Sequence, residues 1–206
     1  MIEEILPGNK TRLNIINTIY ENPKINLTGL IKKVRASPNL VLKYVNNLLS
    51  YSVIKEEKRG GEKKVHIRII EPNFDNELSQ LIYSIVEIEK RINFFKKYKK
   101  LKPYFTQLKE IFKNREGFVL VYGSYARFSA EEDSDLDLLI VGKLNKEETK
   151  RIEEIFITLE SELSLKIETL QKFLKNKEKP LYKNILKEHI ITDGTINFIK
   201  ILAKIK

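Results

Sequence analysis

The chain of 206 residues contains no cysteine. That absence excludes disulfides, thiolate zinc sites and cysteine nucleophiles together. Histidine is scarce as well, with only His66 and His189, which argues against a histidine-built metal centre. His66 falls in a β-like alternation and His189 near the end of a helical stretch, and both read as surface or internally satisfied side chains. Any metal must then be held by carboxylates. No apolar run approaches the roughly 18 residues needed to span a bilayer, and the acidic start MIEEILPGNK lacks the apolar segment of a secretory signal. The expectation is a cytoplasmic protein with no membrane partner. No Gly-x4-Gly-Lys-Ser/Thr run occurs, which sets aside a P-loop ATPase. Internal repeats and low-complexity stretches are missing too, so neither a solenoid nor a disordered chain is expected.

What is present is a composition of 42% hydrophobic and 32% charged residues, enough for a real core in one ordinary domain or two small ones. The net charge of +10 points to a polyanionic partner such as nucleic acid, because lysine and arginine supply most non-specific affinity for phosphates. A composition rich in Lys, Ile and Glu also fits thermophily.

The first third reads as three short helices and a hairpin. NKTRLNIINTIYENP carries Leu13, Ile16, Ile19 and Tyr20 at helical spacing and stops at Pro23; LTGLIKKV repeats the pattern with Leu27, Leu30, Ile31 and Val34. In SPNLVLKYVNNLLS, Ser37 is a good N-cap and Pro38 falls at the first helical position. Val41, Tyr44, Val45 and Leu48 then share one face of that helix, while Asn39, Lys43, Asn46 and Ser50 share the other. VIKEEKRGGEKKVHIRI reads as two strands around Gly60-Gly61, with Val65, Ile67 and Ile69 inward and His66 and Arg68 outward. This order resembles the winged helix-turn-helix family over roughly residues 9–70. The resemblance implies DNA or RNA binding, with Asn39, Lys43, Asn46 and Asn47 reading bases and Lys58, Arg59, Lys63 and Lys64 on phosphates. The plain alternative is a winged helix that contacts proteins.

A long amphipathic helix follows in NELSQLIYSIVEIEKRINFFKKYKKL, with Leu78, Ile82 or Leu81, Ile85, Ile88, Ile92 and Phe95 forming a stripe that must be covered. It could pack within the chain or against its twin in a homodimer. Pro103 precedes a further short helix in YFTQLKEIFKN.

In the second half, Phe118–Tyr122 and Leu136–Val141 are apolar runs suited to buried strands. Gly123 and Ser124 end the first, where a glycine allows close backbone approach and a following helical turn would seat phosphate oxygens. Asp135 and Asp137 are two apart, so their side chains leave one face of a strand, and such a pair calls for a hard cation such as Mg2+ that also binds a triphosphate. Gly-Ser, ten residues, Asp-x-Asp resembles the minimal nucleotidyltransferases, relatives of DNA polymerase β; Tyr125-Ala126-Arg127 and Ser134 belong to the match. The resemblance implies nucleoside triphosphate binding by Gly123, Ser124 and Arg127, and Mg2+ binding by Asp135 and Asp137. Two departures stand out. Phe128 replaces a common glycine, and Lys166 aligns with the family's usual third aspartate. Glu168, two residues on and on the same face, is the candidate replacement, whereas Lys166 would disfavour a second metal by repulsion. The closing stretch PLYKNILKEHIITDGTINFIKILAKIK reads as helix, turn and helix, and looks like the tail of archaeal winged-helix proteins with such a domain.

The expected fold is therefore α+β: a winged helix-turn-helix at 1–72, a helical connector at 73–115, and a nucleotidyltransferase-like mixed sheet with flanking helices at 116–206. The expected activity is Mg2+-dependent nucleotidyl transfer, with catalytic Asp135, Asp137 and Glu168. The alternative is a regulator or antitoxin whose transferase-like domain is inactive and binds a ligand or partner.

Overall fold

The computed structural model describes residues 2–60, 67–113 and 115–205. The expected hairpin tip with Lys63, Lys64, Val65 and His66 lies outside the described residues. The chain divides into two compact units: residues up to Val86 with Leu202–Lys204, and Glu87–Ile201 with Ile205.

In the first unit α1 (Lys10–Glu21) opens where the Asn9 side chain accepts the Arg12 N–H, an N-cap. β1 (Ile25–Asn26) runs straight into α2 (Leu27–Val34), which closes at Arg35 in the left-handed region. α3 (Pro38–Ser50) is capped by Ser37 and buries Val41, Tyr44, Val45 and Leu48, the face its periodicity predicts. β2 (Ile54–Arg59) and β3 (Ile67–Pro72) form an antiparallel hairpin, with β1 on the other edge of β3. The core is built from Ile15, Ile16, Ile19, Leu30, Val41, Val45, Leu48 and Ile70, all fully buried.

The hairpin corrects the expected alternation. Ile67 is 54% exposed, and Ile70 and Pro72 are the buried residues of β3. Arg68, expected to point outward, is half-buried and bonds to Glu56 and Asn46. The helices α1 and α2 pack on β3, and Ile67 and Ile70, three apart, leave opposite faces of the strand, one in the core and one in solvent.

α4 (Glu77–Lys97) also departs from expectation. It buries Ser79, Ile82, Tyr83, Val86, Glu87 and Phe94, while Leu81 (50%), Ile85 (39%), Ile88 (37%) and Ile92 (48%) stay exposed. The helix carries two apolar stripes, and the one inside is the bulkier at Tyr83, whose ring stacks on Tyr20 at 5.3 Å and meets Phe74 edge-on at 5.1 Å.

The second unit continues with α5 (Lys102–Phe112), β4 (Gly117–Val121), α6 (Gly123–Ala126), β5 (Leu136–Gly142), α7 (Lys146–Phe156), β6 (Leu163–Glu168), α8 (Leu170–Asn176), α9 (Pro180–Lys187), β7 (Ile190–Asp193) and α10 (Thr195–Ile205). Its sheet has the order β6-β5-β4-β7, with β5 and β6 parallel and the other pairs antiparallel. Strand β7 is a correction, since the sequence reads there as a turn between helices. The dipeptide Ile190-Ile191 is too short to show a period, and only pairing with β4 makes it a strand. Leu138–Val141 of β5 is buried throughout because both sheet faces are covered. Val119, Val121, Leu138 and Ile140 pack with Phe94, Phe105, Leu108 and Phe156. Phe118 meets Phe173 and Phe198 edge-on at 5.3 and 5.1 Å. His189 is internally satisfied, bonding through its ring nitrogens with the Ile185 carbonyl at 2.7 Å and Glu87 at 3.2 Å. No helix among the described residues is long and apolar enough to cross a membrane.

Candidate functional site

Strands β4 and β5 are antiparallel neighbours, so the end of β4 meets the start of β5, and this brings Gly123-Ser124 against the aspartates. The Tyr122 N–H donates to the Asp137 carbonyl at 3.1 Å. Gly123 then takes φ 70°, and a Cβ added there would lie 2.1 Å from Asp137 Oδ2. Glycine is required twice over, for the backbone angle and for the carboxylate that fills the missing side chain's space. The turn of α6 is closed by Arg127 N–H to the Gly123 carbonyl (3.2 Å) and Ser129 N–H to the Ser124 carbonyl (3.0 Å). Tyr125 is buried beneath it, its hydroxyl 2.9 Å from Ser161 Oγ.

Phe128 holds φ 58°, the left-handed region that a glycine would enter freely. Its ring packs against Phe94 at 6.4 Å and stacks on Tyr98 at 6.2 Å, and its carbonyl accepts from Lys97. The departure from glycine is thus absorbed by aromatic packing, and the loop still delivers Asp135 and Asp137 to β5.

Asp135 is exposed and Asp137 partly so, the accessibility a ligand needs. Arg127 is also exposed, 3.9 Å from Glu188 in a loose ion pair. Glu168 is not brought to the aspartates. In the parallel β5–β6 register Asp137 pairs with Ser164 and Glu168 with Val141, four residues further along, or roughly 13 Å of strand. Glu168 is 4% exposed, and its Oε2 accepts the Tyr182 hydroxyl at 2.8 Å. Its Oε1 is buried without a hydrogen-bond partner among the described residues. The expectation that Glu168 joins the pair as a third carboxylate is corrected on this geometry: alternation puts it on the right face, but register puts it at the wrong level.

Lys166 lies between, opposite Leu139, with its ammonium 4.8 Å from the Tyr182 ring centroid. Hydrogen bonding to the Tyr182 hydroxyl holds the Lys166 pKa above its ordinary value, against some desolvation. Tyr122 shares this face: burial first, and the Asp137 carboxylate second, push its hydroxyl pKa up, while Ser164 and Lys166 act the other way. Sequence reasoning missed Tyr122 and Tyr182. Tyr122 had a signal, standing directly before Gly-Ser, whereas nothing in α9 marks Tyr182.

Among the described residues no group of three histidine, cysteine or acidic side chains could hold a metal. The aspartate pair still fits a hard divalent cation, which takes one or two carboxylates and fills its shell with phosphate oxygens and water. The missing side chain at Gly123 leaves room for Asp137 Oδ2 against the backbone of the turn.

In the first unit, α3 presents Asn39, Lys43 and Asn46 on its exposed face, with Asn47 half-buried. Lys58 and Arg59 are exposed on β2, although Arg59 is paired with Glu57 at 2.7 and 3.0 Å. Arg68, absent from the expected readers, donates to Asn46 Oδ1 at 3.2 Å and so joins the hairpin to α3. It alternates with isoleucines in the sequence, and that hid it.

Residues 9–55 match the family model for winged helix-turn-helix DNA-binding, and residues 101–192 match the model for the nucleotidyltransferase domain. No curated protein and no solved structure matches the chain.

Proposed function

Because this chain joins a winged helix-turn-helix DNA-binding domain to a nucleotidyltransferase domain, we propose that it binds a nucleoside triphosphate with Mg2+ and transfers the nucleotidyl group to a hydroxyl, which loses its proton as the bond from the α-phosphorus to pyrophosphate breaks and pyrophosphate leaves, while the winged helix holds nucleic acid. The observation that carries the reading is the meeting of Gly123 and Asp137, where 2.1 Å would separate an added Cβ from the carboxylate. In this reading the backbone that would donate to phosphate lies beside a carboxylate that would hold the metal.

In this reading Asp135 and Asp137 hold Mg2+, which when bound would neutralise phosphate charge and polarise the phosphorus under attack. The Gly123 backbone and the Ser124 hydroxyl orient the triphosphate. Arg127 exchanges its loose pairing with Glu188 for a phosphate oxygen, a small loss for an exposed pair. Asn39, Lys43, Asn46 and Asn47 face the bases of DNA or RNA, and Lys58, Arg59, Lys63 and Lys64 face phosphates. The functional division follows 1–72 for nucleic acid, 73–115 as connector and 116–206 for transfer. The exposed stripe of α4 supports pairing with a second copy through that connector.

A second reading is favoured by one observation, the commitment of Glu168 to Tyr182 away from the aspartates. It makes the transferase domain a ligand-binding regulator or antitoxin without turnover. Incubation with labelled nucleoside triphosphates, Mg2+ and a panel of protein, tRNA and small-molecule acceptors separates the two. Labelled product that vanishes in the Asp135→Asn, Asp137→Asn double variant is expected. Nucleotide binding without any product supports the regulator instead.

A further inference from the structure

We infer that Lys166, held against the ring of Tyr182, is the built-in cation of this sheet face and limits the aspartate site to a single divalent ion. The inference rests on the metal and nucleotide reading proposed for the aspartate pair.

The observations concern one sheet face. Asp137, Ser164, Lys166 and Glu168 share it through the parallel register of β5 and β6, and α9 adds Tyr182. Tyr182 is 3% exposed and Glu168 4%, so the hydroxyl-to-carboxylate bond of 2.8 Å between them is a fixed feature of the interior. The ammonium of Lys166 lies 4.8 Å from the Tyr182 ring centroid. Tyr182 thus gives its proton to Glu168 and its ring to the lysine.

Charge then decides the stoichiometry. Asp135 and Asp137 bring two negative charges, which one divalent ion balances. A second ion on this face would be repelled by Lys166, which stands two strand positions or roughly 7 Å beyond Asp137, and the next carboxylate, Glu168, lies roughly 7 Å further still with Tyr182 on its Oε2. The lysine instead offers its charge to an anionic oxygen of the nucleotide or acceptor beside Asp137. The tether matters because an ammonium on a flexible four-carbon stem would otherwise fold onto Asp137 and compete with the metal. Tyr182 draws it toward α9. Glu168 and Tyr182 are accordingly positioning residues that act through Lys166.

The test counts Mn2+ bound to the full chain with a saturating non-hydrolysable triphosphate analogue, by electron paramagnetic resonance. The wild type should bind one ion, Lys166→Arg one, and Lys166→Asp two. Two ions on the wild type, or one on a folded Lys166→Asp, overturns the inference and leaves the nucleotidyl-transfer reading standing. No Mn2+ on the wild type with the analogue, or unchanged Mn2+ uptake in Asp135→Asn with Asp137→Asn, removes that reading and the inference with it. Should Lys166→Asp fail to fold by circular dichroism, Tyr182→Leu, which removes the ring, decides. It is expected to weaken Mn2+ binding several-fold in the wild-type background and to have no effect in Lys166→Met. An equal loss in both backgrounds means a merely structural tyrosine and overturns the inference.

Discussion

Phe128 shows how a single residue departs from the family's habit and is accommodated. A non-glycine residue in the left-handed region costs about 1–2 kcal/mol, and here the ring's contacts with Phe94 and Tyr98 offset that. Truncation to alanine keeps the strained backbone and loses the packing, whereas truncation to glycine loses the packing but relieves the strain. Denaturant unfolding should therefore find Phe128→Ala destabilised by roughly 2–4 kcal/mol and Phe128→Gly by about 1 kcal/mol less. The reverse order would show that the backbone angle carries no strain. Gly123 was legible from the sequence because a Gly-Ser after an apolar run implies close approach. Glu168 was not, because alternation along a strand reveals a side chain's face while its level depends on the pairing register with a neighbour, here Glu168 opposite Val141. The same limit hid Tyr182, whose role exists only through its contact with Glu168.

At the scale of elements, periodicity located α3 down to its two faces, since its apolar and polar residues separate cleanly. It located α4 as a helix, but of the stripe it offered Ile82 goes inside while Leu81, Ile85, Ile88 and Ile92 do not. Leu78, Leu81, Ile85, Ile88, Ile92 and Phe95 repeat at alternating spacings of three and four, as in a coiled-coil seam, yet Tyr83 and Val86 on another face win the interior. The uncovered seam predicts self-association. Sedimentation equilibrium should find a dimer in the wild type and a monomer in Ile85→Glu with Ile88→Glu, with thermal stability of the fold little changed because both residues are already in contact with water. A monomeric wild type would refute the seam. Strand β7 was illegible for a different reason: a strand of four residues shows no pattern until β4 pairs with it.

For the molecule as a whole, a net charge of +10 accompanies two domains whose proposed ligands both bear phosphate. The proposed function puts part of that excess, at the hairpin, against nucleic acid. Neutralising Lys58, Arg59, Lys63 and Lys64 should lower DNA affinity uniformly across sequences and reduce the logarithmic salt slope by roughly one per lost phosphate contact. Binding and slope that stay the same would rule the hairpin out as the phosphate-contacting surface. Replacing Asn39 and Lys43 should instead change which sequence is preferred.

The most direct trial of the account is calorimetric titration of the full chain with a non-hydrolysable nucleoside triphosphate, with and without Mg2+. The account predicts that Mg2+ tightens binding by about tenfold or more in the wild type, a gain of about 1.4 kcal/mol or more, and that Asp135→Asn with Asp137→Asn abolishes the gain. Equal affinity with and without the ion in the wild type, or the same gain in the double variant, would contradict it.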